Sequence, residues 1–139
     1  MILLDTNVVS ALMQRHPDPA VVRWLDGQPA ESVWTTSITV FEVCTGLELL
    51  EHGRRRRELV DAFDQLLVED FAGRVQSFDQ AAALAAGRIA AERQRRGRGV
   101  EVRDVQIAGI ATARKATLAT RNVGHFDELG VDVIDPWAV

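Results

Sequence analysis

The chain opens with MILLDTNV, residues 1–8, in which a short apolar run stops at an acidic residue. The run Ile2–Leu4 has the length and apolar character of a buried strand, and Asp5 follows it directly. A short helix is predicted from there to Leu12. The stretch therefore predicts a buried strand with a carboxylate at its carboxyl end.

The rest of the chain repeats this alternation of short strands and longer helices. Further strands are predicted at 33–36, 75–78, 117–120 and 131–134. Helices are predicted at 20–25, from Ser37 or Thr39 to about His52 with Gly53 as the stop, at 54–70, from Asp79 to about Arg96, and at 104–115. This alternation predicts an α/β fold, with a mostly parallel β-sheet flanked by helices.

Length and composition indicate one globular domain over residues 1–139. Hydrophobic residues make up 47% of the chain and charged residues 26%, as in ordinary soluble proteins. A single cysteine, Cys44, excludes an intramolecular disulfide. No apolar stretch approaches a membrane span and no signal-peptide pattern is present, so we expect a cytoplasmic protein without a membrane partner.

Charge is unevenly distributed along the chain. The net charge is −4, yet residues 51–100 hold ten arginines against eight acidic residues. Two local basic clusters stand out there, at 54–57 and at Arg93, Arg95, Arg96 and Arg98. Such clusters can meet phosphates even on an acidic protein, although solvated helix faces explain them equally simply.

Three acidic residues lie near the boundaries of predicted elements, and each has an ordinary structural alternative. Asp5 could cap the helix that follows it. Glu42 could complete a capping box with Thr39, but it lies on a helix that is apolar on both faces, which predicts partial burial beside a cation. Asp104 could simply favour the amino-terminal end of its helix.

Together the three acids predict more than each does alone. Sites in parallel α/β sheets form outside the carboxyl ends of the strands, where these carboxylates could converge. Clustered carboxylates repel one another unless a divalent cation joins them. Ligands that are all oxygen favour Mg²⁺, with Mn²⁺ as a possible substitute.

Five ordered pieces of the sequence carry a resemblance to a known family. They are MILLDTNV at 1–8, TSITVFE at 36–42, VRDVQIA at 102–108, LATRNVGHF at 118–126 and the Pro-Trp pair at 136–137. In these pieces the chain resembles the PIN-domain ribonucleases, and among them the VapC-type toxins of type II toxin–antitoxin systems. The resemblance covers the whole chain.

The resemblance implies a set of site residues. It assigns catalytic positions to Asp5, Glu42, Asp104 and Asn122, with the three acids as metal ligands and with Thr6 and Thr120 in support. Many family members carry aspartate where this chain has Asn122, and Asp127 is an alternative for that fourth position. His125 is interpreted as a packed loop histidine.

The function implied is that of a Mg²⁺-dependent endoribonuclease, acting as the toxin of a bacterial toxin–antitoxin pair. Metal-activated water would cleave RNA phosphodiesters. Implied partners are a small cognate antitoxin protein, a second copy in a homodimer, and a toxin–antitoxin hetero-oligomer. A cation of the antitoxin would enter the acidic cluster, beside a groove walled by Leu59, Phe63 and Leu66 unless that stripe is ordinary core.

Two alternatives remain open on the sequence. One is a receiver-like Mg²⁺-binding signalling domain, which would need an acidic neighbour beside Asp5 and a lysine at the end of a late strand. Lys115 precedes its predicted strand instead. The other is a catalytically silent PIN module that only binds partners, an alternative that Asn122 keeps open.

Overall fold

The computed structural model describes all 139 residues as five strands and seven helices. The strands are β1 (Ile2–Leu4), β2 (Val33–Thr36), β3 (Val75–Gln76), β4 (Thr117–Ala119) and β5 (Asp132–Ile134). The helices are α1 (Thr6–Leu12), α2 (Pro19–Asp26), α3 (Ser37–Leu49), α4 (Arg54–Gln65), α5 (Gln80–Arg95), α6 (Val102–Arg114) and α7 (Val123–Glu128). A π-helical turn, Leu66–Asp70, extends α4. None of the helices has both the length and the apolar character needed to cross a membrane.

All five strands form one parallel sheet in the order β3-β2-β1-β4-β5, which confirms the predicted α/β class. The central strand β1 places Leu3 between Trp34 of β2 and Leu118 of β4. From β1 the chain moves outward to β3, and it then returns to the other side of β1 to form β4 and β5. The strand order therefore reverses between β1 and β4, and parallel sheets hold ligands in the crevice outside that point.

The core lies on both faces of the sheet because successive strand residues point in opposite directions. Leu4 packs with residues of α1 to α4, whereas Leu3 packs with residues of α5 to α7. The stripe of Leu59, Phe63 and Leu66 is buried in the first of these clusters. It is therefore core, and the interpretation as a groove wall is wrong.

The start of α3 differs from the prediction. Thr36, at the end of β2, has an extended backbone, and its Oγ1 accepts a hydrogen bond from the Thr39 N–H at 3.1 Å. Thr36 is therefore the N-cap, and neither Ser37 nor Thr39 has that role. The capping-box alternative for Glu42 is thus excluded. Gly53 was expected to stop α3, but it precedes α4 with a φ of 155°.

Two further boundaries differ from the prediction. Helix α6 begins at Val102, because Glu101 caps it by accepting from the Arg103 N–H at 3.0 Å. Asp104 is nevertheless in its first turn, as predicted. Helix α7 is absent from the sequence-based prediction, and His125, which was expected in a loop, lies within it.

Candidate active site

Asp5 lies at the carboxyl end of the central strand and is only 5% exposed. Its backbone N–H donates to the Ala119 carbonyl at 2.9 Å, which continues the pairing of β1 with β4. Oδ1 accepts from the Thr6 N–H at 2.8 Å, so Asp5 does cap α1. Burial raises the pKa of Asp5 above its usual value, and the charge of Asp104 adds to the rise.

The hydroxyl of Thr120 links Asp5 to the end of β4. Thr120 Oγ1 donates to Asp5 Oδ2 at 2.8 Å, and it accepts from the Asn122 N–H at 3.0 Å. Asn7 Nδ2 donates to the same hydroxyl at 3.3 Å and to Asp5 Oδ2 at 3.3 Å. A hydroxyl has one hydrogen to donate and two lone pairs with which to accept, so these three bonds use the whole hydrogen-bonding capacity of Thr120. The buried Thr120 therefore fixes the direction in which the Asp5 carboxylate faces.

Glu42 reaches the same edge of the sheet from the second turn of α3. Its Oε1 accepts from Thr6 Oγ1 at 3.1 Å, and Arg103 Nη1 lies 3.8 Å from Oε2. The side chain is 21% exposed, which confirms the predicted partial burial beside a cation. Burial raises the pKa of Glu42, and the Thr6 hydroxyl and Arg103 oppose that rise.

Asp104 is half-buried at the start of α6, beside the ring of His125. His125 Nε2 lies 3.0 Å from Asp104 Oδ2, but the pair is not aligned as a hydrogen bond. Burial raises the pKa of Asp104, and His125 opposes the rise through its charge. The prediction of a loop histidine is wrong, since His125 lies on α7 and contacts a candidate site residue.

The three carboxylates are electrostatic neighbours, as the sequence predicts. The charges of Asp5 and Asp104 both raise the pKa of Glu42, and that of Asp104 raises the pKa of Asp5. No three His, Cys, Asp or Glu side chains stand close enough to hold one ion among them. A divalent ion at this edge would therefore be held by fewer carboxylates and by water, an arrangement common for Mg²⁺.

The fourth predicted position lies beside the cluster at Asn122. Its N–H is bonded to Thr120, and its exposed side chain makes no hydrogen bond within the protein. The alternative, Asp127, is exposed on α7 and two residues beyond His125. Since each helical residue turns the direction by about 100°, Asp127 points away from the site. The structure therefore favours Asn122 as the residue near the cluster.

Sequence reasoning missed three residues that touch the site. Asn7 Oδ1 accepts from the Arg121 N–H at 3.1 Å, so Asn7 joins the two strand ends as Thr120 does. Arg103 and His125 are the cationic or ionisable neighbours of Glu42 and Asp104. Two signals in the sequence could have indicated these contacts. Arg103 is adjacent to Asp104, and His125 follows Asn122 by three residues.

Comparisons with known proteins find similarity over nearly the whole chain. A family model described as the PIN domain matches residues 2–131. The plasmid stability protein StbB of Pseudomonas syringae pv. tomato is 40% identical over 137 residues, covering 99% of both chains. The toxin FitB of Neisseria gonorrhoeae is 36% identical over 137 residues, again with 99% of both chains covered.

Two further matches extend this pattern. The VapC ribonuclease Y4jK of Sinorhizobium fredii is 36% identical over 137 residues, covering 99% of this chain and 98% of its own. The crystal structure of FitAcB from Neisseria gonorrhoeae superimposes with a TM-score of 0.89 at 36% identity, covering 100% of both chains. The matched lengths therefore extend over the segments that form both core clusters and the carboxyl-end edge of the sheet.

Proposed function

The chain belongs to the PIN-domain family, and from this premise we propose that it is an endoribonuclease serving as the toxin of a toxin–antitoxin pair. The observation that carries the proposal is the buried carboxylate of Asp5 at the reversal of strand order, with Glu42 and Asp104 beside it. The relatives named as a toxin and as a VapC ribonuclease support the same function. A receiver-like domain is excluded by the family match and by Lys115, which precedes β4.

We propose Mg²⁺ as the cofactor, replaceable by Mn²⁺, with Asp5 and Asp104 as the principal ligands of one ion and with Glu42 either binding a second ion or activating water. Their donor atoms are all carboxylate oxygens, which suit these hard ions. Burial raises the pKa of each carboxylate, and repulsion within the cluster adds to the rise at Asp5 and Glu42; a divalent cation would relieve both effects. The chemistry that Mg²⁺ supplies in such sites is activation of water and neutralisation of phosphate charge.

The protein's own residues orient the carboxylates for this chemistry. Thr120 and the Thr6 N–H fix the two oxygens of Asp5, and the Thr6 hydroxyl fixes Glu42. Asn122 stands at the amino-terminal end of α7, where its amide can orient water or phosphate oxygen but cannot act as a base. Preorganised groups of this kind lower the barrier because they need no rearrangement during the reaction.

The proposed partners are RNA as substrate, a second copy of the chain and a small antitoxin. The similarity to FitAcB and to the toxin FitB supports the antitoxin. We propose that the antitoxin inserts an arginine or lysine among Asp5, Glu42 and Asp104. Arg103, 3.8 Å from Glu42, already demonstrates that a guanidinium is accommodated at the rim of the cluster.

The test is cleavage of purified cellular RNA by the purified protein with Mg²⁺, mapped by sequencing of RNA ends. We expect discrete cuts that disappear with a chelator and with Asp104→Asn. Asp127→Asn is the matched control, because it removes the same charge from an exposed position facing away from the site. A folded protein that makes no cut under any divalent cation would instead support the catalytically silent module.

A further inference from the structure

A cavity of about 330 Å³ lies outside the acidic site, between the end of α5, the loop 97–101 and the end of α7. Most of its wall is charged. Four guanidinium groups and two carboxylates line it, from Arg88, Arg93, Arg96, Arg98, Glu92 and Glu128. The cavity therefore has an excess of positive charge on a chain whose net charge is −4.

The arginines of this cavity are only partly neutralised. Arg93 is 15% exposed and is fixed by its Nε, which donates to the Gly99 carbonyl at 2.9 Å. Its Nη1 lies 3.4 Å from Glu128 Oε2, and Arg98 Nη1 lies 3.7 Å from the same oxygen. A single carboxylate oxygen is thus shared by two guanidinium groups, at distances that leave both able to bind a better-placed anion.

Arg88 and Arg96 provide the remaining positive charge. Arg88 forms no ion pair, and Arg96 uses only its Nε, at 2.9 Å from Glu92 Oε1. Both side chains lie in exposed positions at the mouth of the cavity. Guanidinium groups arranged around a concave surface are suited to the bidentate recognition of phosphate oxygens.

The position of the cavity relates it to the acidic site. Glu128, which lines it, is the last residue of α7 and follows His125 by three positions, so the two side chains lie on the same side of that helix. His125 itself lies 3.0 Å from Asp104. The cavity therefore begins about one helical turn from the residue that contacts Asp104, at the far end of the same short helix.

We propose that this cavity binds a backbone phosphate of single-stranded RNA, next to the phosphodiester held at Asp5, Glu42 and Asp104. The proposal rests on the proposed ribonuclease function and extends it to substrate positioning. A peptide partner is disfavoured because only Ile89 and Leu129 in the wall are hydrophobic, and protein interfaces need buried apolar anchors. Arg88, Arg93, Arg96 and Arg98 are thereby positioning residues.

The test measures binding of a short fluorescent single-stranded RNA, as anisotropy over a range of salt concentrations. Asp5→Asn is present in every protein so that no cleavage occurs. We compare Arg88→Gln/Arg96→Gln with Arg54→Gln/Arg55→Gln, which removes the same charge from α4 on the opposite face of the sheet. All four positions are exposed, so thermal unfolding should be unchanged.

We expect Arg88→Gln/Arg96→Gln to weaken RNA binding about tenfold, since hydrogen bonds to charged groups are lost. The slope of log affinity against log salt should become shallower by about 0.7 for each phosphate contact removed. Glu128→Gln, which removes the competing carboxylate, should tighten binding. In the cleaving protein the arginine changes should raise KM and leave kcat unchanged.

The outcomes separate this proposal from the ribonuclease function. Equal affinity and slope in the cavity and control variants would overturn the phosphate site, even if the protein cleaves RNA. A variant with normal RNA binding but a weakened antitoxin complex would also overturn it, in favour of a protein partner. A protein that never cleaves RNA, yet loses binding on Arg88→Gln/Arg96→Gln, would retain the phosphate site without the nuclease.

Discussion

Thr120 donates its hydroxyl hydrogen to Asp5 Oδ2 across 2.8 Å, and this bond ties together the carboxyl ends of β1 and β4. Asp5 and Thr120 are both buried, so the bond is shielded from water. It restrains the one candidate ligand that lies deepest in the site.

Asp5→Asn should abolish RNA cleavage while leaving the protein folded. The amide keeps a carbonyl to cap α1 and loses the charge that burial disfavours, which offsets the loss of Oδ2 as acceptor for the Thr120 hydroxyl. Loss of a metal ligand should reduce the rate by about 10³-fold or more. Cleavage assays and calorimetry with a chelator measure the two effects. Near-normal activity would remove Asp5 from the ligand set.

Glu42→Gln should cripple cleavage while leaving stability almost unchanged. Glutamine retains an oxygen to accept from Thr6 but carries no negative charge. Thr36→Ala is the matched control at the same helix, because it removes the actual N-cap and should cost about 1 kcal/mol of unfolding free energy. Full activity in Glu42→Gln would show that the charge of Glu42 is not used.

Asn122→Asp should be tolerated and should tighten Mg²⁺ binding. The exposed amide of Asn122 donates no hydrogen bond within the protein, so its replacement breaks no contact. A negative charge at the amino-terminal end of α7 is also favourable. Metal titration followed by calorimetry measures the affinity. Loss of cleavage in this variant would mean that substrate needs the amide N–H donors.

Gly109→Ala should destabilise the fold strongly. A Cβ there would lie 2.5 Å from the Ala82 carbonyl oxygen and 2.7 Å from Ala86 Cβ, where α5 and α6 pack closely. Overpacking of this kind costs about 1–3 kcal/mol. The control is Gly87→Ala in α5, where the new Cβ would meet nothing within 4 Å and should stabilise by about 0.5–1 kcal/mol. Thermal unfolding distinguishes them.

The stability of the metal-free protein should depend on pH through the acidic cluster. The pKa values of Asp5, Glu42 and Asp104 are raised in the folded state, so folding favours their protonated forms. Their contribution is fully present below the unfolded pKa values and is lost as pH rises through the folded ones. As pH rises through the folded-state pKa of Asp5, the wild type should therefore lose unfolding free energy relative to Asp5→Asn, and the difference between the two proteins should grow. A pH-independent difference would contradict the prediction.

Much of this arrangement was predictable because its signals are local. The apolar run before Asp5 predicts β1, and the carboxylate at its end is found where the strand order reverses. The alternative of a helix cap is confirmed, since one oxygen of Asp5 caps α1; the other oxygen meets Thr120, and the role of Asp5 as a metal ligand stays a prediction. Local patterns therefore predict the position of Asp5 at the sheet edge but do not choose between a cap and a ligand, because one carboxylate can serve as both.

The missed features depend on tertiary contacts. Thr36, Ser37 and Thr39 are all possible caps, and Thr36 is selected because β2 holds it in the extended conformation. Helix α7 has six residues, too few for hydrophobic periodicity to reveal it, and short helices are stable mainly through packing. The contact of Arg103 with Glu42 arises where α6 approaches α3, which no local pattern encodes.

The bond between Thr120 and Asp5 also has a consequence for folding. The two residues are separated by 115 positions, and β4 must pair with β1 before they meet. A nascent chain still lacking Thr120 holds Asp5 without its hydroxyl partner, whatever the state of α1 to α6. The orientation of the Asp5 carboxylate should therefore be completed late in folding, only once the fourth of the five strands has joined the sheet.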